Sequence, residues 1–166
     1  MPVLRSFLTD SVPAITIVNL MGQHEEFVSR YPSKWNQFKP SDYPELPAHQ
    51  REAIAQFDNA TLYNDYVVAS IFDLYKEANA LLFYFPDHGL DLYDTTPDYC
   101  GHAQESDPRS MEICRQIPFF VYPTDQYREA HPDQVEQLTQ AASQPFNIRD
   151  LIPLLLKITG YKIQGR

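Results

Sequence analysis

Asp87-His88-Gly89 closes an apolar run, Ala80 to Phe85, whose length and aromatic content suit a buried strand. A carboxylate and an imidazole side by side are ligands for a borderline cation such as zinc. In an open α/β sheet, ligands bind beyond the carboxyl ends of the strands, which is where this pair would stand. Gly89 lets the backbone turn sharply straight after it. Two further histidines follow the same grammar: His24 comes after Gly22, and His102 directly after Gly101. Three imidazoles and a carboxylate gathered at strand ends would make a metal-assisted hydrolytic or transfer site. The remaining histidines, His49 before a helical stretch and His131 before Pro132, read as surface residues. Cys100 and Cys114 bracket His102. They are open to three states: a disulfide, two free thiols, or a pair of metal ligands lacking the usual CxxC spacing.

The elements that must position these groups are legible in outline. Pro13 to Leu20 is β-branched and reads as a buried strand leading into Gly22 and His24. Ser29 to Pro47 is rich in proline and aromatics and reads as a long surface connection. From Ala48 to Ala78 there is neither Pro nor Gly. Apolar residues there recur near a 3.6 period, which predicts one long helix or a short and a long one. Strand, helix and the strand 80–85 then form a parallel crossover. Leu90 to Arg115 reads as a site-forming loop, and Ile117 to Pro123 as a third strand with Pro118 at its start. Tyr127 to Ser143 reads as a helix broken at His131-Pro132. A last helix begins near Asp150 and ends at Gly160. This predicts an α/β class: a three-layer α/β/α arrangement around a mostly parallel sheet, in one domain or part of one.

The chain has 166 residues, 43% hydrophobic and 13% aromatic, enough for a folded core, and a net charge of −9. That acidity disfavours nucleic acid and anionic membrane surfaces as partners. No stretch is apolar for the roughly 18 residues a membrane helix needs. The N-terminal residues lack the apolar core of a signal peptide, so the chain alone is expected to be soluble.

Taken together, Leu20-Met21-Gly22-Gln23-His24 with Arg30-Tyr31-Pro32, Phe57 to Val67, Asp87-His88-Gly89, Gly101-His102 and Ile117-Pro118-Phe119 resemble the C-terminal half of the alkaline phosphatase/sulfatase superfamily catalytic domain. Within it they are most similar to the lipopolysaccharide phosphoethanolamine transferases. The resemblance runs from about Ala14 to Lys162 and implies that residues 1–166 form a single partial domain, the C-terminal part of an alkaline phosphatase-like fold. It further implies that Asp87 and His88 hold a tightly bound Zn2+ (or another divalent metal), and that His24 and His102 line the second metal or phosphate subsite as catalytic residues. The family motif His-Leu-Met-Gly-Ser-His is altered here, with Asn19 for its first histidine and Gln23 for its serine. Glu25 and Glu26 replace small or apolar residues.

By the same resemblance, the activity is transfer of phosphoethanolamine from phosphatidylethanolamine to lipid A or a core sugar of lipopolysaccharide. The place is the periplasmic face of the bacterial inner membrane. The family's threonine nucleophile and its membrane helices lie upstream of the matching region. No nucleophile is assigned here, since Thr9, Thr16, Thr95 and Thr96 lack the matching context. Two other readings remain: a sulfatase or phosphoesterase of the same superfamily, or an inactive fragment acting only as a folded module. An open sheet edge invites a homodimer, or pairing with an N-terminal half.

Overall fold

The computed structural model describes residues 4, 5, 8 and 13–161; Thr9 lies outside them. Its largest element is helix α1, Ala48–Tyr75, 28 residues long and about 42 Å end to end. The uninterrupted run without Pro or Gly allows that length, and Pro47 opens it. Its first intrahelical bond runs from Arg51 N to the Pro47 carbonyl at 3.3 Å, and the same carbonyl accepts from Gln50 N at 2.9 Å.

One face of α1 carries the long connection before it. That connection is organised as short 3-10 turns at Phe27–Arg30, Ser33–Trp35 and Pro40–Asp42. Phe27, nearly fully buried, meets the edge of Phe57 at 5.3 Å between ring centroids. Trp35 lies over Tyr66 at 4.8 Å and Tyr63 at 5.6 Å. The fixing point between them is Asn59, which is fully buried. Its side-chain oxygen accepts from Gln37 N (2.7 Å) and Phe38 N (2.9 Å). Its amide donates to Asn36 Oδ1 (3.1 Å) and Phe38 O (2.9 Å).

Strand β1, Leu81–Tyr84, follows α1 directly, and β4, Phe120–Pro123, pairs with it antiparallel, Leu81 against Pro123 and Tyr84 against Phe120. Alternation splits the side chains between two faces. Tyr84, Phe120 and Tyr122 share the face toward α1, where Phe72 packs on Phe120 and Tyr122. Thr124, fully buried, joins the two strands at their other end. Its hydroxyl donates to Ala78 O at 2.6 Å and accepts from Ala80 N at 3.1 Å. A second antiparallel pair, β2 (Asp91–Leu92) with β3 (Cys100–Gly101), lies between β1 and helix α2, Pro108–Arg115. Helices α3 (Asp125–Ala130), α4 (Pro132–Ala141) and α5 (Leu151–Thr159) complete the chain.

Several expectations hold. The long helix is continuous, α3 and α4 are broken at His131, and α5 starts after Asp150 and stops at Gly160 with φ +72°. Others need correction. The buried strand expected at 13–20 is not formed; Ile15 is 60% and Ile17 88% exposed. A strand needs a neighbour for its backbone groups, and none of the described residues makes a backbone hydrogen bond to this segment. The parallel crossover is therefore absent, and both observed pairs are antiparallel. The reason is local: residues 85–119 double back through β2, β3 and α2, so β4 returns against β1. The loop expected over 90–115 contains α2, announced by Asp107 at its N-cap and Pro108 in its first turn. The α/β class stands, while the described sheets have two strands each.

Candidate active site

Asp87 and His88 leave the end of β1, and His102 leaves the end of β3. The structure brings these three together. His88 Nε2 stands 2.7 Å from His102 Nε2 and 3.8 Å from Asp87 Oδ1. His88 Nδ1 stands 2.8 Å from the Gly89 carbonyl oxygen. A carbonyl only accepts, so Nδ1 carries the proton and Nε2 presents a lone pair, the form in which an imidazole binds a metal. His102 Nε2 then donates to it. Two nitrogens on one tetrahedral zinc stand roughly 3.3 Å apart, so this contact is a hydrogen bond that a cation must open.

The donor set fits zinc in type: a carboxylate and an oriented imidazole from adjacent residues. It is incomplete in number. Among the described residues no group of three or more His, Cys, Asp and Glu is placed to hold a metal ion. The cysteines do not add to it. Both are free thiols, Cys114 buried and Cys100 half-buried. Burial pushes each thiol up, so neither is a ready thiolate. The disulfide alternative is not realised in this structure.

Gly89 is held against the end of α2, its amide donating to Cys114 O at 2.7 Å. A side chain there would meet the Cys114 backbone at 3.3 Å, which accounts for glycine at this turn. On the other strand, Tyr99 OH donates to the His102 carbonyl. Gly101 has φ +152°, a conformation that side chains disfavour, and is buried.

His24 stands on a third segment. It is exposed, and its loop is docked on α1 by Gln23 Nε2, which donates to Thr61 Oγ1 at 3.2 Å. Arg30 Nε donates to the His24 carbonyl at 3.1 Å. The neighbour Glu25, rather than His24, reaches β3: its Oε1 lies 3.0 Å from where a Cβ on Gly101 would be. His49, expected at the surface, is half-exposed but engaged. Its Nε2 lies 2.9 Å from Pro97 O, tying α1 to the site loop.

Sequence reasoning missed Asp91, the fully buried anchor of that loop. It accepts from the amides of Asp94 (3.0 Å) and Thr95 (3.3 Å) and from the Thr95 hydroxyl. Burial pushes its carboxyl up, but hydrogen bonds from Thr95, Ser110 and the two amides outweigh that and hold it below the usual range. The signal was an Asp followed by Thr four residues on, close enough for the carboxylate to take the amides and hydroxyl of the turn between them. Because the folded value is lowered, this stabilisation is present above about pH 4, the unfolded carboxylate range, and is lost as pH falls through the folded value. Asp91→Asn is expected to destabilise the chain by about 1–3 kcal/mol at pH 7. In chemical denaturation that deficit should shrink on acidification; a pH-independent deficit contradicts the assignment.

No described helix is long and apolar enough to cross a membrane. The sequence profile of the family described as Sulfatase matches residues 3–161. Phosphoethanolamine transferase EptC of Escherichia coli (strain K12) is 34% identical over 98% of this chain and 29% of its own length. Phosphoethanolamine transferase CptA of Salmonella typhimurium is 33% identical over 97% of this chain and 28% of its own. Kdo(2)-lipid A phosphoethanolamine 7''-transferase of the same organism is 27% identical over 77% of this chain. The chain thus spans under a third of the length of EptC and CptA. No solved structure matches it.

Proposed function

Because the chain belongs to the sulfatase family, we propose that it carries the metal- and phosphoryl-binding part of a phosphoethanolamine transferase site. The donor would be phosphatidylethanolamine, and the acceptor lipid A or a core sugar of lipopolysaccharide, at the periplasmic face of the inner membrane. The observation that carries this reading is the meeting of His88 and His102 at 2.7 Å beside Asp87, from two separate strand ends. These residues are among those on which the sequence resembles the phosphoethanolamine transferase family.

Asp87 and His88 would hold Zn2+, and when bound the ion would supply charge against a phosphoryl oxygen and lower the pKa of an attacking hydroxyl. His88 enters this role with its proton fixed on Nδ1 by the Gly89 carbonyl. His102 presents Nε2 to the His88 ring, and its backbone carbonyl is held by Tyr99. As an imidazolium, protonated on both ring nitrogens, it could give the Nε2 proton to an oxyanion or leaving group and be left as the neutral ring. His24 would approach from its own loop as a further phosphate-binding imidazole. In the complete domain, the segment 13–20 would join β1 in a larger, mostly parallel sheet covered on both faces, as its near-continuous apolar sequence suits.

Two protein ligands fall short of the three usual in catalytic zinc sites. The 166-residue chain by itself is therefore expected to cleave a chromogenic phosphodiester no faster than a zinc-only blank. Zinc-dependent turnover abolished by Asp87→Ala would contradict the partial-site reading and favour a self-sufficient esterase.

A further inference from the structure

We propose that Glu25 is a specificity residue that receives the ammonium group of phosphoethanolamine; this rests on the reading above. The Glu25 carboxylate lies across Gly101, with Oε1 3.0 Å and Cδ 3.9 Å from the position of a Cβ there, and Tyr99 OH 3.6 Å from the same point. It therefore sits one residue from His102, whose ring meets His88. Glycine at 101 leaves room for the carboxylate in this position without any shift.

No cation neutralises this carboxylate among the described residues. Among the described residues the contacts of this type are His49 with Asp98 and His88 with Asp87, each an ion pair only when the imidazole is protonated, and neither involves Glu25. Arg30, the nearest basic side chain in sequence, donates to backbone instead: its Nη2 lies 2.6 Å from the Glu25 carbonyl oxygen and its Nε 3.1 Å from the same atom. The Tyr99 hydroxyl has placed its proton on the His102 carbonyl. The backbone after Glu25 is held in an unusual state. Glu26 has φ +62°, uncommon for a residue with a side chain, and its carbonyl accepts from both Ser29 N and Ser29 Oγ at 2.8 Å. The result is a fixed turn presenting one uncompensated carboxylate across Gly101, one residue from His102.

That polarity matches a zwitterion. Phosphoethanolamine carries an anionic phosphoryl group, which the imidazoles and a bound cation attract, and an ammonium two carbons away, which a carboxylate attracts. A sulfate or simple phosphate ester lacks the second charge and gains nothing from Glu25.

The test uses the zinc-loaded chain and two probes, O-phosphoethanolamine and ethyl phosphate, with dissociation constants read by NMR titration. Wild type is expected to prefer O-phosphoethanolamine by roughly fivefold, the size of a partly exposed ion pair. Glu25→Gln should remove the preference while binding ethyl phosphate equally well or better, and Glu25→Asp should restore part of it. Equal binding of the two probes by wild type, or a preference that survives Glu25→Gln, overturns the role of Glu25 while leaving a phosphoryl site in place. Failure of both probes to bind overturns the phosphoryl-site reading and this inference with it.

Discussion

His88→Ala is expected to lower the chain's zinc affinity by at least tenfold in calorimetry, a loss of about 1.4 kcal/mol or more. His88 is the better prepared of the two ligands. Its Nδ1 is engaged by the Gly89 carbonyl, so no tautomer change precedes binding, and it is only one-third exposed whereas Asp87 is 91% exposed. His102→Ala should have the opposite character. It removes the hydrogen bond at 2.7 Å that competes with a cation for the His88 lone pair. Zinc affinity should therefore stay within a few-fold of wild type or rise. Equal losses for the two variants would make His102 a ligand of the same ion and change its role.

Asn59→Leu is expected to cost about 2–4 kcal/mol in urea denaturation, a large share of the stability of a domain this size. The side chain is fully buried and makes four hydrogen bonds, two as acceptor and two as donor, all to residues 36–38. Leucine leaves two amides, a carbonyl and the Asn36 oxygen without partners. Asn59→Asp should also destabilise, since a carboxylate cannot donate to Phe38 O. The damage should stay in the connection over α1, leaving zinc affinity unchanged in the folded fraction. A leucine variant as stable as wild type would show that the connection contributes nothing to the fold.

What the sequence disclosed depends on how local each cause is. Helix α1 was legible because nothing between Ala48 and Ala78 breaks a helix, and Gly160 and His131-Pro132 mark their ends by backbone chemistry alone. The partner of Leu81–Tyr84 was not legible, since an apolar run fixes burial and leaves direction of pairing open. The segment from Pro13 to Leu20 shows the converse: its composition asks for two neighbouring strands and two covers, and among the described residues no strand pairs with it. Asp91 was only partly legible: Thr95 lies four residues on, but Ser110 reaches it only when α2 folds back. Of the residues singled out in the sequence, Asp87, His88 and His102 converge, while His24 lies on a separate loop. Glu25 became visible only through the conformation of Gly101.

The central claim is that Asp87, His88 and His102 form one cation and phosphoryl site. Imidazole 15N–1H NMR during a zinc titration tests it most directly. The account predicts that His88 is protonated on Nδ1 before zinc is added. Zinc should then shift His88 Nε2 first and disturb His102 with it, leaving His49 and His131 unmoved. A titration that moves His49 or His131 while His88 stays at its starting shift would contradict the account.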